Sequence, residues 1–251
     1  MVMNNCEIFS NLKVPCGLKI VVRADGRNFS RLSNDLGLKK PYDTQFVKSM
    51  VEAACTFALE FSPIFIYTFS DEINILLSEI PFGGRVEKID SIFASFLGSA
   101  FTKILFKNLE FSKSSDDPLI KPLSFDARII PFTSANLVEY FRMRQKEAWR
   151  NCINGYAYWT LRNEFGKEKA VEMLNQKKSS KIHDILFDRG INLAEVPAWQ
   201  RRGVGIYKKE IYVEGYNPIS KEKVLSRRGK LFVDWNLPLF QEEFFKDNSI
   251  L

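Results

Sequence analysis

Apolar positions change period several times along the chain, and each change marks an element. "GLKIVVRAD" is a short β-branched run bounded by a glycine and an acid, the pattern of a buried strand ending at Asp25. Residues 28–36 follow as a short helix opened by Asn28. In "PYDTQFVKSMVEAACTFALEF", Phe46, Met50, Val51, Ala54 and Phe57 recur at helical spacing behind a capping Asp43. An unbroken apolar run from Ile64 to Phe69 then meets Ile73, Ile75 and Leu77, which alternate with their neighbours. Between them lies "SDE", Ser70 to Glu72, so two strands joined by a tight turn are expected. A long helix is predicted from about Val86 to Asn108, and "SSDDP" reads as a loop. "SFDARIIPF" is a further strand, closed by Pro131. Ser134 opens a long amphipathic helix with Leu137, Val138, Phe141, Ala148, Trp149, Cys152 and Ile153 on its apolar face, and Gly166 ends it.

Strand, helices, strand–turn–strand, helix, strand, helix is the order of a split βαβ, ferredoxin-like sheet, an α+β fold. It fills residues 1–166. Residues 167–251 change character: two short helices lead to "VPAWQRRG", then to strand-like "VGIYKKEIYV" and "KVLSRRGKLFV". A smaller helical and β-rich C-terminal region is expected there.

Composition narrows the chemistry. The chain has 251 residues, 45% hydrophobic and 14% aromatic with 22 phenylalanines, enough for a substantial core. Lys and Arg number 36 against 30 acids, and the pI is about 9.0. That balance permits a nucleic-acid partner without requiring one. None of Cys6, Cys16, Cys55 and Cys152 forms a CxxC pair, and His183 is the single histidine, which argues against a zinc site. A Ser-His or Cys-His nucleophile could use only His183, which has no supporting motif. Scattered cysteines suit a reducing cytoplasm. Neither a signal sequence nor a run of about 20 apolar residues stands out, so a cytoplasmic protein without membrane attachment is expected.

Two acidic turns hold the candidate chemistry. In a ferredoxin-like sheet Asp25 and Asp71 converge on one edge, and paired carboxylates suit Mg²⁺, which takes oxygen ligands and borrows those of phosphates. Glu72 is the weaker ligand, because strand neighbours point to opposite faces. Gly26 allows close approach to the backbone, and the N–H groups of Arg27, Asn28, Phe29 and Ser30 open a helix suited to phosphate. Lys40 offers a point charge. Each motif alone also fits an ordinary turn, since Asp-Gly is a turn dipeptide. The basic residues are equally two-sided. Arg142, Lys146 and Arg150 form one helical stripe, while Arg201, Arg202, Lys208, Lys209, Arg227 and Arg228 lie further on among Trp199, Tyr207, Tyr212 and Trp235. Such residues make either a solvated face or a grip on RNA.

"VVRADGRNFSRLSNDLGLKKPYD", "YTFSDEINILL", "FDARIIPF", "YFRMRQKEAWRNCINGYAYWTL" and "WQRRG", in that order over roughly residues 18–210, closely resemble the tRNA-His guanylyltransferase family. The resemblance implies a polymerase-palm-like domain that adds nucleotides to the 5′ end of tRNA in the 3′-to-5′ direction. It implies two Mg²⁺ ions, with ATP and GTP or other nucleoside triphosphates as substrates. It gives metal and triphosphate contacts to Asp25, Gly26 (through its carbonyl), Arg27, Asn28, Phe29 and Ser30, and a role at the 5′ phosphates to Lys40. Ser70 becomes a nucleotide contact, Asp71 a metal ligand and Glu72 a supporting acid. The family forms tetramers built from dimers, so a homodimer or homotetramer is expected. One stretch departs: eukaryotic enzymes carry His-Ile-Asn-Asn-Leu-Tyr-Asn where this chain has "WRNCING", Trp149 to Gly155, with only Asn151 in common. Trp149 stands at the histidine position. That likens the chain to the archaeal and bacterial branch, whose additions are templated and repair truncated 5′ ends. A palm-like nucleotidyl cyclase and a non-catalytic tRNA-binding module are the alternatives.

Overall fold

The computed structural model describes residues 7–108, 123–133, 136–217 and 222–251. The "SSDDP" loop, Cys6 and the proposed helix start at Ser134 lie outside them. β1 (Lys19–Gly26) leads to α1 (Phe29–Asp35) and α2 (Thr44–Phe61), then to β2 (Phe65–Phe69) and β3 (Glu72–Leu76). A 3-10 turn at Phe82–Gly84 precedes α3 (Val86–Asn108), β4 (Phe125–Phe132) and α4 (Leu137–Phe165). Asp43 caps α2 as its sequence suggests: Oδ1 accepts from the Gln45 and Phe46 N–H groups, both at 2.9 Å. Ser70 and Asp71 form a two-residue turn between Phe69 and Glu72, with Ser70 left-handed at φ 52°.

These four strands are antiparallel in the order β4-β1-β3-β2, the ferredoxin-like arrangement. Pro131 sits in β4, an edge strand, where a missing N–H is tolerated. Past residue 166 come α5 (Lys167–Leu174), α6 (Ser179–Phe187) and α7 (Ala198–Arg202). β5 (Val204–Asn217) then pairs with β2 from Thr68↔Val204 to Phe65↔Tyr207, and β6 (Glu222–Asp234) pairs with β5. One six-stranded sheet therefore spans both regions of the chain. Gly203 makes the join. Its φ is 74°, and a Cβ there would lie 2.5 Å from the Tyr67 ring and 2.7 Å from the Thr68 carbonyl, so the chain turns into β5 hard against β2.

Alternation along the strands sorts side chains onto two faces. Ile20, Val22, Ala24, Ile66, Ile73 and Ile75 pack under α2 and α3, with Phe57, Phe93 and Phe101 filling the layer. α3 has the length and apolarity of a membrane span, but its Ile89, Phe93, Leu97, Phe101 and Leu105 are buried in this core. The opposite face, with Val21, Phe65, Tyr67 and Leu76, is covered by Leu137 and Phe141 of α4. It is also covered by the C-terminal segment, whose Leu237, Phe240, Phe244 and Phe245 reach α8 (Glu242–Asp247). That cover carries no periodic signature in the sequence, because only Glu242–Asp247 of the segment is helical. A third cluster, Cys152, Ile153, Ala157, Ile182 and Leu186, holds α6 against the second half of α4.

Candidate active site

The end of β1 and the β2–β3 turn meet through one bond: the Gly26 N–H donates to the Asp71 carbonyl at 3.0 Å. Asp25 faces Glu72 across the ladder. The Asp71 carboxyl accepts from the Ser70 hydroxyl at 3.0 Å. Burial holds it above the ordinary carboxylate range, and the negative charge of Asp25 adds to the shift while the Ser70 bond opposes it. Two aspartates brought together at one sheet edge offer the oxygen ligands that a hard cation such as Mg²⁺ takes. Among the described residues no group of three or more His, Cys, Asp or Glu is arranged to hold a metal. The third acid, Glu72, is committed elsewhere. Its oxygens accept from Arg144 Nε (2.8 Å) and Nη2 (2.5 Å), and Asn74 Nδ2 donates to it at 2.8 Å. Asn74 in turn accepts from the Tyr140 hydroxyl at 2.5 Å. A buried polar network thus fastens α4 to the sheet directly behind the paired aspartates.

The main chain after Asp25 is partly spent. Arg27 N–H donates to the Ser124 carbonyl at 2.9 Å, so it is turned to β4 rather than to a ligand. Asn28 is left-handed at φ 61° and caps nothing with its side chain. The N–H groups of Asn28, Phe29 and Ser30 have no carbonyl partner among the described residues. The Phe29 ring is buried against Phe46, Phe101 and Phe125, which leaves only its backbone to meet a ligand. It also explains Gly26: a Cβ there would fall 2.6 Å from that ring. Ser30, Ser33, Lys40, Asp43, Ser70 and Asp71 line one cleft of about 170 Å³. Lys40 donates to the Ser33 hydroxyl and lies 5.6 Å from the Trp159 ring centre. Burial lowers its ammonium pKa, against the opposing pull of Asp43.

The basic candidates divide. Arg142, Lys146, Arg201 and Arg202 border a single cleft of about 650 Å³ together with Trp149. Arg142 and Arg202 are braced there by the Phe240 and Leu237 carbonyls, each at 3.0 Å. Arg150 does not line it and is ion-paired with Glu147. Lys208 and Lys209 lie on another surface with Arg227. Lys209 is held 3.7 Å over the Phe232 ring. Sequence reasoning missed Arg144, whose partner is 72 residues away. The one available signal was Asn74, a polar residue in a strand that is otherwise apolar after Glu72.

Comparison with known proteins agrees with this fold. The sequence profile of the tRNAHis guanylyltransferase family matches residues 1–133. A probable tRNA(His) guanylyltransferase of Dictyostelium discoideum is 30% identical over 235 residues, 91% of this chain and 88% of that protein. The Debaryomyces hansenii tRNA(His) guanylyltransferase is 28% identical over 244 residues, 92% and 91% of the two chains. A bacterial tRNA(His) guanylyltransferase-like protein, solved in complex with ATP, superposes with a TM-score of 0.74 at 23% identity, covering 98% of this chain and 96% of that one. The Saccharomyces cerevisiae tRNA(His) guanylyltransferase gives 0.71 at 22% identity, covering 86% and 91%. At these identities the two structures establish the fold, an antiparallel palm-like sheet with helices.

Proposed function

Since this chain belongs to the tRNA(His) guanylyltransferase family of nucleotidyltransferases, we propose that it extends the 5′ end of tRNA by templated 3′-to-5′ nucleotide addition. The observation that carries the reading is the Gly26–Asp71 bond, which brings the end of β1 that carries Asp25 to Asp71, a residue lining the Lys40 cleft. Asp25, Asp71 and the Gly26 carbonyl would hold Mg²⁺, which supplies a lowered pKa for the attacking hydroxyl and charge neutralisation at the leaving phosphates. Ser70 orients the Asp71 carboxylate through its hydrogen bond. The N–H groups of Asn28, Phe29 and Ser30 bind the incoming triphosphate, and Lys40 pairs with the acceptor's 5′ phosphate. The 3′ oxygen of the incoming nucleotide bonds to the 5′ phosphorus. The bond to AMP (after activation by ATP) or to pyrophosphate breaks, and the hydroxyl proton passes to water. Glu72 acts from behind, as the anchor of α4.

Trp149, in place of the eukaryotic histidine, supports the templated, 5′-repairing branch of the family. Base choice then comes from pairing, because discrimination by binding one small base is limited. We assign catalysis to residues 1–166 and tRNA contacts chiefly to 167–251, with Arg142 and Lys146 joining Arg201 and Arg202. Homodimers or homotetramers follow from the resemblance. Cytoplasmic location is supported by the unpaired Cys16, Cys55 and Cys152.

The test uses intact and 5′-truncated tRNA with Mg²⁺, ATP and labelled nucleoside triphosphates. Label should enter the 5′ end of the truncated tRNA, complementary to the opposing strand. A cyclic nucleotide formed without tRNA would instead indicate a cyclase. Mg²⁺-indifferent tRNA binding with no incorporation would indicate a binding module.

A further inference from the structure

A second cavity also opens at Ser70. It measures about 230 Å³ and shares Pro41, Tyr42, Val47 and Ser70 with the cleft that holds Lys40 and Asp71. The linings differ in chemistry. The Lys40 cleft is charged, whereas no charged side chain lines this one. Its walls are the carboxamides of Asn151 and Asn154 from α4 and of Gln200 from α7, with the rings of Tyr42 and Trp199. Tyr42 and Trp199 meet edge to face at 5.7 Å, which fixes both rings. Gln200 Oε1 accepts from the Tyr156 hydroxyl at 2.5 Å, so its amide is oriented and its NH₂ is left to donate. The side chains of Asn151 and Asn154 have no hydrogen-bond partner among the described residues. Carboxamides beside fixed rings suit a flat, neutral group with a mixed donor and acceptor edge. Without a cation they do not suit a phosphate.

The reaction proposed above brings two nucleotides together at Asp25 and Asp71, and the Lys40 cleft is small for one of them. Resting on that reading, we propose that the Asn151–Asn154–Gln200 cavity receives a nucleobase, that of the nucleotide whose triphosphate does not lie on α1. The base can come from the free activating nucleotide or from the 5′-terminal residue of the RNA. Either enters beside Ser70 and places its phosphate at Asp71. Gly155 keeps the cavity open. A Cβ there would lie 3.5 Å from Pro41 Cβ and meet nothing else within 4 Å, so a longer side chain is compatible with the helix but occupies the cavity.

2-Aminopurine, whose fluorescence falls when it stacks, reads the site directly. Two probes are used with Mg²⁺: 2-aminopurine riboside triphosphate, and a 5′-monophosphorylated truncated tRNA whose terminal base is 2-aminopurine. At least one should be quenched by the parent protein, and which one identifies the source of the base. Gly155→Leu should reduce that quench and raise its half-saturation concentration by about tenfold or more, the scale of one lost base stack. Inorganic triphosphate, which has no base, should bind both proteins equally. Asn154→Ala, on an exposed helix position, should weaken the same probe with its fold intact by circular dichroism. Two outcomes overturn the proposal: neither probe is quenched, or Gly155→Leu and Asn154→Ala both leave the titrations unchanged. A parent protein that quenches a probe but incorporates no nucleotide refutes the proposed transferase reading and leaves the base site standing.

Discussion

Arg144→Met is the sharpest test of the network behind the aspartates. The Glu72 and Arg144 side chains are only 7% and 19% exposed, so their ion pair is shielded from water. Removing one partner of a buried pair strands the other charge at about 3–5 kcal/mol. The Asn74 bond to Glu72 survives and offsets about 1 kcal/mol of that. The expected loss is therefore about 2–4 kcal/mol. For a chain of 251 residues that lowers Tm by about 4–16 °C, at about 2–4 °C per kcal/mol. Adding Glu72→Gln to the same chain should restore most of the loss, because no charge is then left buried. Urea unfolding of the parent, both single variants and the double variant gives the coupling energy. A single Arg144→Met variant within 1 kcal/mol of the parent, or a double variant no better than it, would refute the claim that Glu72 is a neutralised anchor.

Other expectations follow from the same geometry. Asp71 titrates above its ordinary value of 3.8 because of burial and Asp25. A carboxyl raised in the folded state contributes stability below its unfolded pKa and loses it as pH rises through the folded one. Asp71→Asn should therefore raise Tm at neutral pH in EDTA but not below pH 3.8, and should remove the stabilisation that Mg²⁺ gives the parent. Gly26→Ala drives a methyl into the Phe29 ring, so a loss of about 1–3 kcal/mol by denaturant titration is expected, with weaker nucleotide binding as α1 shifts. Lys146→Ala should weaken tRNA binding and reduce the slope of log K against log salt by about 1, whereas Arg150→Ala, outside the basic cleft, should leave the slope unchanged.

Much of this was legible in local pattern. The "SDE" turn, the α2 cap at Asp43 and the start of α3 are set by neighbours in sequence, and the order of elements dictated the four-stranded arrangement. Contacts between distant residues were not legible. Nothing near Glu72 announces Arg144, and nothing near Arg27 announces that Ser124 takes its N–H group. Gly26 looked like room for a phosphate, yet the room is filled by Phe29 three residues on. A helical stripe placed Arg150 with Arg142 and Lys146, but 3.6-residue periodicity cannot say where the flanking chain lies, and α7 gathers only the latter two into its cleft. "WRNCING" was legible as a difference. Its consequence, small or polar residues around a cavity beside Ser70, depends on α7 and on the segment before α2.

The central claim is that Asp25 and Asp71 together form the metal-dependent transfer site. The most direct measurement is templated addition to a 5′-truncated tRNA by Asp25→Ala and Asp71→Ala, alongside tRNA binding by the same proteins. The account predicts that each variant loses addition while binding tRNA nearly as the parent does. Parent-like addition by either variant would contradict it.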